Sequence, residues 1–309
     1  MNKNKQKIVP HLWFDRQAEE AVGFYTSLFE NSQIGETTRY GEAGQEVHGQ
    51  KPGSVMTIEF KLAGHQFIAL NGGPHFKFTP AISFIVNCEL EEEVDELWAN
   101  LSQGGEPLMP LDEYPFSKKY GWIEDKFGLS WQVILAEGNV PQKIMPSLMF
   151  VGEAYGQAEE AINFYTSLFN NSEIKQIARY GPDQEPDKEE AIMYADFKLH
   201  GQMFAAMESA HEHDFFFNEA ISLLVECESQ KEIDYFWENL SAVPEAEQCG
   251  WLKDKFGVSW QVAPMILHEM LRDSNTEKVE RVTKAFLQMK KFDIQKLQDV
   301  YEGNQSVIK

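Results

Sequence analysis

Residues Ile8 to Phe14 form a short run of β-type apolar residues, and directly after it Ala18, Ala21, Val22, Tyr25, Leu28 and Phe29 recur at the spacing of a one-sided helix. Asn31-Ser32 ends that helix. From Ser54 to Lys61 apolar and polar residues alternate with period two, Gly64 turns the chain, and Gln66 to Leu70 completes a predicted hairpin. After Asn71-Gly72-Gly73-Pro74 comes a buried-looking strand, Ala81 to Asn87, and then a helix over Glu91 to Leu101 with Val94, Leu97, Trp98 and Leu101 on one face. Strand-like segments around Leu108, around Trp122 and from Ser130 to Leu135 complete a second strand-helix-three-strand unit.

The same order of elements then repeats. Ala18 to Ile34 recurs as Ala158 to Ile174 with 13 of 17 positions identical, and Gly121 to Val133 recurs as Gly250 to Val262 with 10 of 13 identical. Between these blocks Arg39-Tyr40-Gly41 returns as Arg179-Tyr180-Gly181, and Ala81-Ile82-Ser83 as Ala220-Ile221-Ser222. Each copy is long enough to bury a core of its own, which identifies a duplicated domain rather than a short-period solenoid. The expected organisation is a domain over 8–137, a second over 144–264, each a pair of βαβββ modules, and a helical extension over 265–309. Copy two lacks about ten residues between Leu240 and Gly250.

Val279, Val282, Phe286 and Met289, then Ile294, Leu297 and Val300, predict two short amphipathic helices in the extension, packed on the second copy or on a partner chain. The extension holds eight Lys/Arg and seven Asp/Glu, so the acidity of the chain, 27 − 49 = −22, lies wholly in the duplicated part. That charge, with no run of Lys and Arg, argues against nucleic acid or an anionic membrane as partner. No apolar run approaches the roughly 20 residues of a spanning helix, and the basic start Met1 to Lys7 leads into no apolar signal region, so a cytoplasmic location is expected. Three cysteines without CxxC spacing read as reduced thiols, and the carboxylates Glu89 and Glu226 beside Cys88 and Cys227 disfavour a nucleophilic thiolate.

The repeated helix AEEAxxFYTSLFxNS, the Arg-Tyr-Gly after it, Ala-Ile-Ser at the middle strand and the closing Gly-Trp-x-x-Asp-Lys-Phe-Gly-x-Ser-Trp-Gln-Val together resemble PhnB-like proteins. These belong to the vicinal oxygen chelate superfamily of glyoxalase I, bleomycin resistance proteins and extradiol dioxygenases; the family also carries the label 3-demethylubiquinone-9 3-methyltransferase. The resemblance covers roughly residues 8 to 264. It implies an α+β fold of two tandem glyoxalase/bleomycin-resistance-like domains whose paired βαβββ modules curl around clefts. Single-domain relatives are expected to pair, so the chain is either a monomer with an internal pseudo-dimer or a homodimer. The methyltransferase label finds no support in a Gly-rich strand-turn-helix.

The resemblance also implies His and Glu metal ligands on the inner strands. Where the family would carry its last-strand carboxylate this sequence has Gln132 and Gln261, and its middle-strand His falls at Ala81 and Ala220. On the first strand His11 is retained in copy one while copy two has Ser147. A neutral amide is a weaker ligand than a carboxylate, so no cofactor is assigned. The remaining candidates for a divalent metal are His11 and Gln132, or Glu208, His211 and His213 in a polar loop.

Candidate ligand contacts are His11 and Trp13 on the first strand, Trp122, Gln132, Trp251 and Gln261 in the closing motif, Arg39 and Arg179 as anion clamps or partners of local carboxylates, and Asn71, Gly72, Gly73 and His75. The last four lie in a loop that resembles one reaching across the family cleft. Trp131, Trp260, Tyr25 and Tyr165 are assigned to the core. The expected activity is binding of a small organic molecule in one or both clefts without the superfamily metal. A divalent-metal enzyme of lyase, isomerase or dioxygenase type and an interaction module with vestigial clefts are the alternatives.

Overall fold

The computed structural model of the chain describes residues 6–138 and 140–304; the basic stretch Met1 to Lys5 lies outside them. Repeat one opens with β1 (Ile8–Phe14), α1 (Ala18–Leu28), β2 (Gln33–Arg39), a short helix α2 (Gln45–His48), β3 (Val55–Leu62) and β4 (His65–Asn71). Its second module is β5 (Ile82–Cys88), α3 (Glu91–Leu101), β6 (Glu106–Tyr114), β7 (Ser117–Glu124) and β8 (Ser130–Leu135). Repeat two follows with β9 (Ile144–Val151), α4 (Ala158–Leu168), β10 (Glu173–Arg179), β11 (Ile192–Leu199) and β12 (Gln202–Ser209). It closes with β13 (Ile221–Cys227), α5 (Gln230–Leu240), β14 (Trp251–Lys253) and β15 (Ser259–Pro264). The final module thus has two strands after its helix where four full βαβββ modules were expected; a single 3-10 turn, Pro244–Ala246, stands where β6 would be.

The α+β class with tandem glyoxalase-like repeats holds, and the strands partition between sheets in a way the sequence does not reveal. One sheet, here called sheet A, runs β14-β15-β13-β1-β4-β3-β2, and the other, sheet B, runs β10-β11-β12-β9-β5-β8-β7-β6. Each sheet therefore joins one module of repeat one to one module of repeat two, through antiparallel pairs at β1 with β13 (Ile8 opposite Val225) and β5 with β9 (Ile82 opposite Leu148). Behind the sheets the buried apolar residues form one continuous cluster, and the aromatic packing at its centres lies within each repeat. In repeat one Phe67 of sheet A meets Phe84 of sheet B at 5.3 Å between ring centroids, and Phe84 meets Trp131 at 5.5 Å. In repeat two Trp260 is packed by Tyr165 and Phe169 at 5.3 and 5.9 Å. Each repeat encloses its core between the backs of two half-sheets and their helices, and the clefts open on the opposite faces, where the repeats meet.

Period-two alternation explains the repeated closing motif. Trp131 and Trp260 point into the cores and are fully buried, as assigned, while their neighbours Gln132 and Gln261 face the clefts. Each indole Nε1 donates to a buried aspartate, Asp125 or Asp254, at 2.8 Å. The other carboxylate oxygen of that aspartate accepts the amides of the following turn: Phe127 and Leu129 in one copy, Phe256 and Val258 in the other. Gly128 and Gly257 supply the left-handed residue (φ +82° and +88°) that the turn requires. The motif is architectural at nearly every position.

The extension forms three helices rather than two: α6 (Met265–Leu271), which leaves β15 directly, α7 (Thr276–Phe286) and α8 (Ile294–Glu302). It packs across both repeats. Cys249 and Gly250 donate their amides to Met289 and Lys290 at 2.8 Å, Phe292 lies over Gly250, and Leu287 lies against Gly44 of repeat one.

Candidate functional site

The two clefts are built from matching positions with different residues. Across the centre of sheet B the cleft-facing side chains Ser83, Ser147 and Ala205 are in register through β5, β9 and β12, and Gln132 of β8, opposite Ile85, reaches Ser83 through a side-chain hydrogen bond. The same row of sheet A is Gln261, Ser222, His11 and Ile68. The middle-strand position that faces the cleft is therefore Ser83 or Ser222. Ala81 and Ala220, where the family comparison placed it, lie just outside the strands at their entry, two residues short of the row.

Small residues hollow sheet B, and large ones fill sheet A. Where sheet A has Val9, His11 and Trp13 on its first strand, sheet B has Met145, Ser147 and Met149. In sheet A Trp251 packs edge-on against His11 and Trp13, with ring centroids 5.6 and 5.9 Å apart. Burial, with the charge of His268 beside it, holds the His11 imidazole down to about 3, so it is neutral at working pH. Helix α6 then closes the cleft: Arg272 pairs with Glu59, and His268 lies 3.7 Å from both Glu59 and Glu226. What remains is a polar groove of about 370 Å3.

Cleft B is open. Its cavity measures about 670 Å3 and takes six of the chain's eleven methionines as lining, Met109, Met145, Met149, Met193, Met203 and Met207. Phe116, Tyr120, Trp122, Tyr180 and Tyr194 supply its aromatic faces. The β6–β7 hairpin, absent from the last module, brings Met109 and Phe116 over it. On the floor Tyr120 donates its hydroxyl to Gln132 Oε1 at 2.8 Å, and Gln132 Nε2 donates to Ser83 Oγ at 2.7 Å. This chain of bonds fixes the amide of Gln132 in one orientation. Burial pushes Tyr120 well above the usual phenol range, so it remains a donor.

Several sequence candidates lie elsewhere. Arg39 and Arg179 are exposed at sheet edges: Arg39 donates to the Gly53 carbonyl, and Arg179 donates to the Glu190 carbonyl and pairs with Glu159. They clamp local groups and do not reach a cavity. Asn71 is a long-range helix cap, its Oδ1 accepting the Ala18 amide at 2.9 Å, and Glu208 does the same for Ala158 at 2.8 Å while also accepting Ile192 N. The Asn71–His75 loop holds Trp13: Gly73 O accepts its indole N–H at 2.8 Å, and a Cβ on Gly72 would come within 2.3 Å of the ring. His75 completes that packing, edge-on to Trp13 at 6.4 Å. Copy two has Met149 in place of Trp13 and can carry Ser209 where copy one needs glycine.

His211 is exposed, and His213 bonds Ser209 Oγ, so neither converges with the committed Glu208. Among the described residues no three His, Cys, Asp or Glu side chains come together as metal ligands. The donors in the two central rows, one imidazole, two amides and three hydroxyls divided between clefts, do not fit the superfamily's divalent metal. Cys88 and Cys227 are pushed up to about 12 by burial, in keeping with inert thiols. The residues the sequence reading missed are the Met–Tyr wall of repeat two and Asp196, because their partners come from the other repeat.

A family model described as 3-demethylubiquinone-9 3-methyltransferase matches residues 6–134 and again 142–263. The chain belongs to this family. A solved family member, the Bacillus cereus PhnB protein described as a 3-demethylubiquinone-9 3-methyltransferase, is 47% identical over 42% of this chain and 100% of its own, with a TM-score of 0.39. A Staphylococcus aureus protein is 35% identical over 43% of this chain and 99% of its own, with a TM-score of 0.18. A Zea mays glyoxalase I mutant, 9% identical, covers 84% of this chain and 94% of its own with a TM-score of 0.52, and so shares the fold. No curated protein matches significantly. In this family member no helix among the described residues is long and apolar enough to cross a membrane.

Proposed function

We propose that this PhnB-like chain binds a small, largely apolar organic molecule in cleft B, without a superfamily-type metal, and that cleft A is closed by its own extension. The observation that carries the reading is the 670 Å3 cavity, which has the size and the mostly apolar lining with few oriented polar groups of a ligand site. Methionine side chains adapt to irregular shapes, and aromatic faces add directional contacts. Gln132, held by Tyr120 and Ser83, keeps one N–H for an acceptor on the ligand. A methyl transfer reading has less support, since no glycine-rich turn from a strand into a helix lines either cleft to hold a nucleotide-like methyl donor.

The test is a thermal-shift screen against neutral, anionic and cationic aromatic compounds, repeated on Ala178→Trp. Ala178 lies in the cavity wall and is half-buried, so an indole there fills the space without entering a core. Saturable stabilisation that disappears in Ala178→Trp supports the reading, and stabilisation that survives the substitution rejects it.

A further inference from the structure

We infer that the occupant of cleft B is a hydrophobic organic cation, recognised by Asp196 among aromatic and thioether side chains; this rests on the reading of cleft B as a ligand site. Asp196, itself half-buried, faces the cavity from β11, and its buried Oδ1 has no hydrogen-bond partner on any other described residue. A carboxylate oxygen taken out of water without a partner is costly, and a cationic ligand supplies both the charge and the donor that Oδ1 lacks. Lys175, whose charge acts on Asp196, is itself paired with Glu173 at 2.6 Å. Among the described residues that line the cavity there is no Lys, Arg or His. Glu137 lies at the rim, and Glu208, also in the wall, has both oxygens committed to backbone amides.

The second observation comes from the other cleft. Asp196 is opposite Ala205 in sheet B, and the matching residue opposite Ile68 in sheet A is Glu59. Glu59 does have its cation, and the chain itself provides it: Arg272 at the end of α6, a helix that lays Met265 against the same groove. Cleft A thus contains a segment of the chain itself that lays one apolar side chain, Met265, in the groove and seats a positive group, Arg272, on the equivalent carboxylate, with His268 beside it. Cleft B offers the same carboxylate, with Trp122, Tyr180 and Tyr194 to face a delocalised cation, and lacks the segment. The negative field of a chain with net charge −22 further concentrates cations at its mouth.

The experiment is calorimetric titration at pH 8 with crystal violet, a triarylmethane cation, with its neutral leuco form, and with the anion anilinonaphthalene sulfonate. One molecule of crystal violet is expected to bind, the leuco form at least about 10-fold more weakly, and the anion not measurably. Asp196→Asn is expected to weaken the cation by about 10- to 100-fold and leave the leuco form unchanged. Gln176→Lys, an exposed cavity position opposite Asp196, should produce the same loss by placing a cation in the wall, and so guards against misfolding of the first variant. Glu153→Gln removes an exposed charge elsewhere and should change nothing. Equal binding of cation and leuco form, unaltered in Asp196→Asn, would overturn the charge inference and leave the pocket reading standing. If no probe binds, or binding persists in Ala178→Trp, the pocket reading falls and this inference with it.

Discussion

Cleft A and cleft B start from one duplicated module plan and end as opposites. Sheet A carries His11, Trp13 and Ile68 where sheet B carries Ser147, Met149 and Ala205, and the larger side chains pack with Trp251 into a nearly solid floor. Sheet B keeps the β6–β7 hairpin as a wall; sheet A has lost β6, Ala242 and Gln248 bond the edge of β14 in its place, and the extension bonds Cys249 and Gly250 just before it. An exposed strand edge is a liability that invites pairing with other chains. The comparison teaches that after a duplication, the floor and the edge of a cleft change together.

The largest expected effect follows from breaking the closure. Phe292→Ala removes a buried ring seated on Gly250 and should destabilise the protein by about 3–5 kcal/mol, read by urea unfolding. An unchanged midpoint would show that the extension rests loosely on sheet A. Asp254→Asn should cost about 3 kcal/mol by misdirecting a side chain that serves the Tyr165 hydroxyl, the Trp260 indole and two amides. Burial raises the Asp254 carboxyl from 3.8 to about 6 against those four donors. Its native form therefore holds a proton that the unfolded form has released between about pH 4 and 6, and its contribution to stability falls as pH rises through that window. Asp254→Asn should flatten that part of the pH profile; a slope equal to that of the parent protein would remove Asp254 as its source.

Gly72→Ser sharpens the comparison at one site. It should cost about 2 kcal/mol by driving a side chain into Trp13. Adding Trp13→Met, which reproduces the residues of repeat two, should recover most of the loss, and a double-mutant cycle without coupling would contradict the explanation. Gln132→Leu should weaken a cleft B probe about 10-fold, whereas Gln261→Leu under the closed cleft should leave it unchanged. Equal effects would mean that both clefts bind. The smallest expected effect is none: dialysis against zinc, nickel or manganese should leave no stoichiometric metal by mass spectrometry, while one equivalent lost on His11→Ala would restore cleft A as a metal site.

Much of this architecture was legible from periodicity. Strand β1 and helices α1 and α3 fall on the residues that the apolar pattern marked, since each is decided by which of its own residues face a core. Helices α1 and α4 end at Phe29 and Phe169 in extended backbone, just before the expected Asn31-Ser32, and Asn31 and Asn171 then turn the chain in left-handed conformations at φ 51° and 55°, which asparagine tolerates. Sheet partnership was not legible, because β5 and β13 present the same pattern and a strand edge does not encode its neighbour. For the site, Trp122 and Gln132 were identified, while Asp196 and the methionine wall were not: nothing local distinguishes an aspartate on an alternating strand that faces solvent from one that faces a cavity completed by another repeat. Arg39 and Asn71 misled for the reverse reason, since their chemistry suggested ligands and their neighbours turned out to be backbone.

The pairing of β1 with β13 sets an order of assembly during synthesis. Ile8 waits for Val225, a separation of 225 − 8 = 217 residues, whereas every strand of sheet B has been synthesised once Ser209 is made. The ligand-ready cleft can form while β1 still has a free edge, and the closed cleft is completed only when the last module and its tail emerge. Such distant pairing slows folding and leaves an unpaired strand exposed meanwhile. The nascent chain is thus most prone to clumping in the interval between residues 71 and 221, when the first half-sheet is finished and its partner does not yet exist.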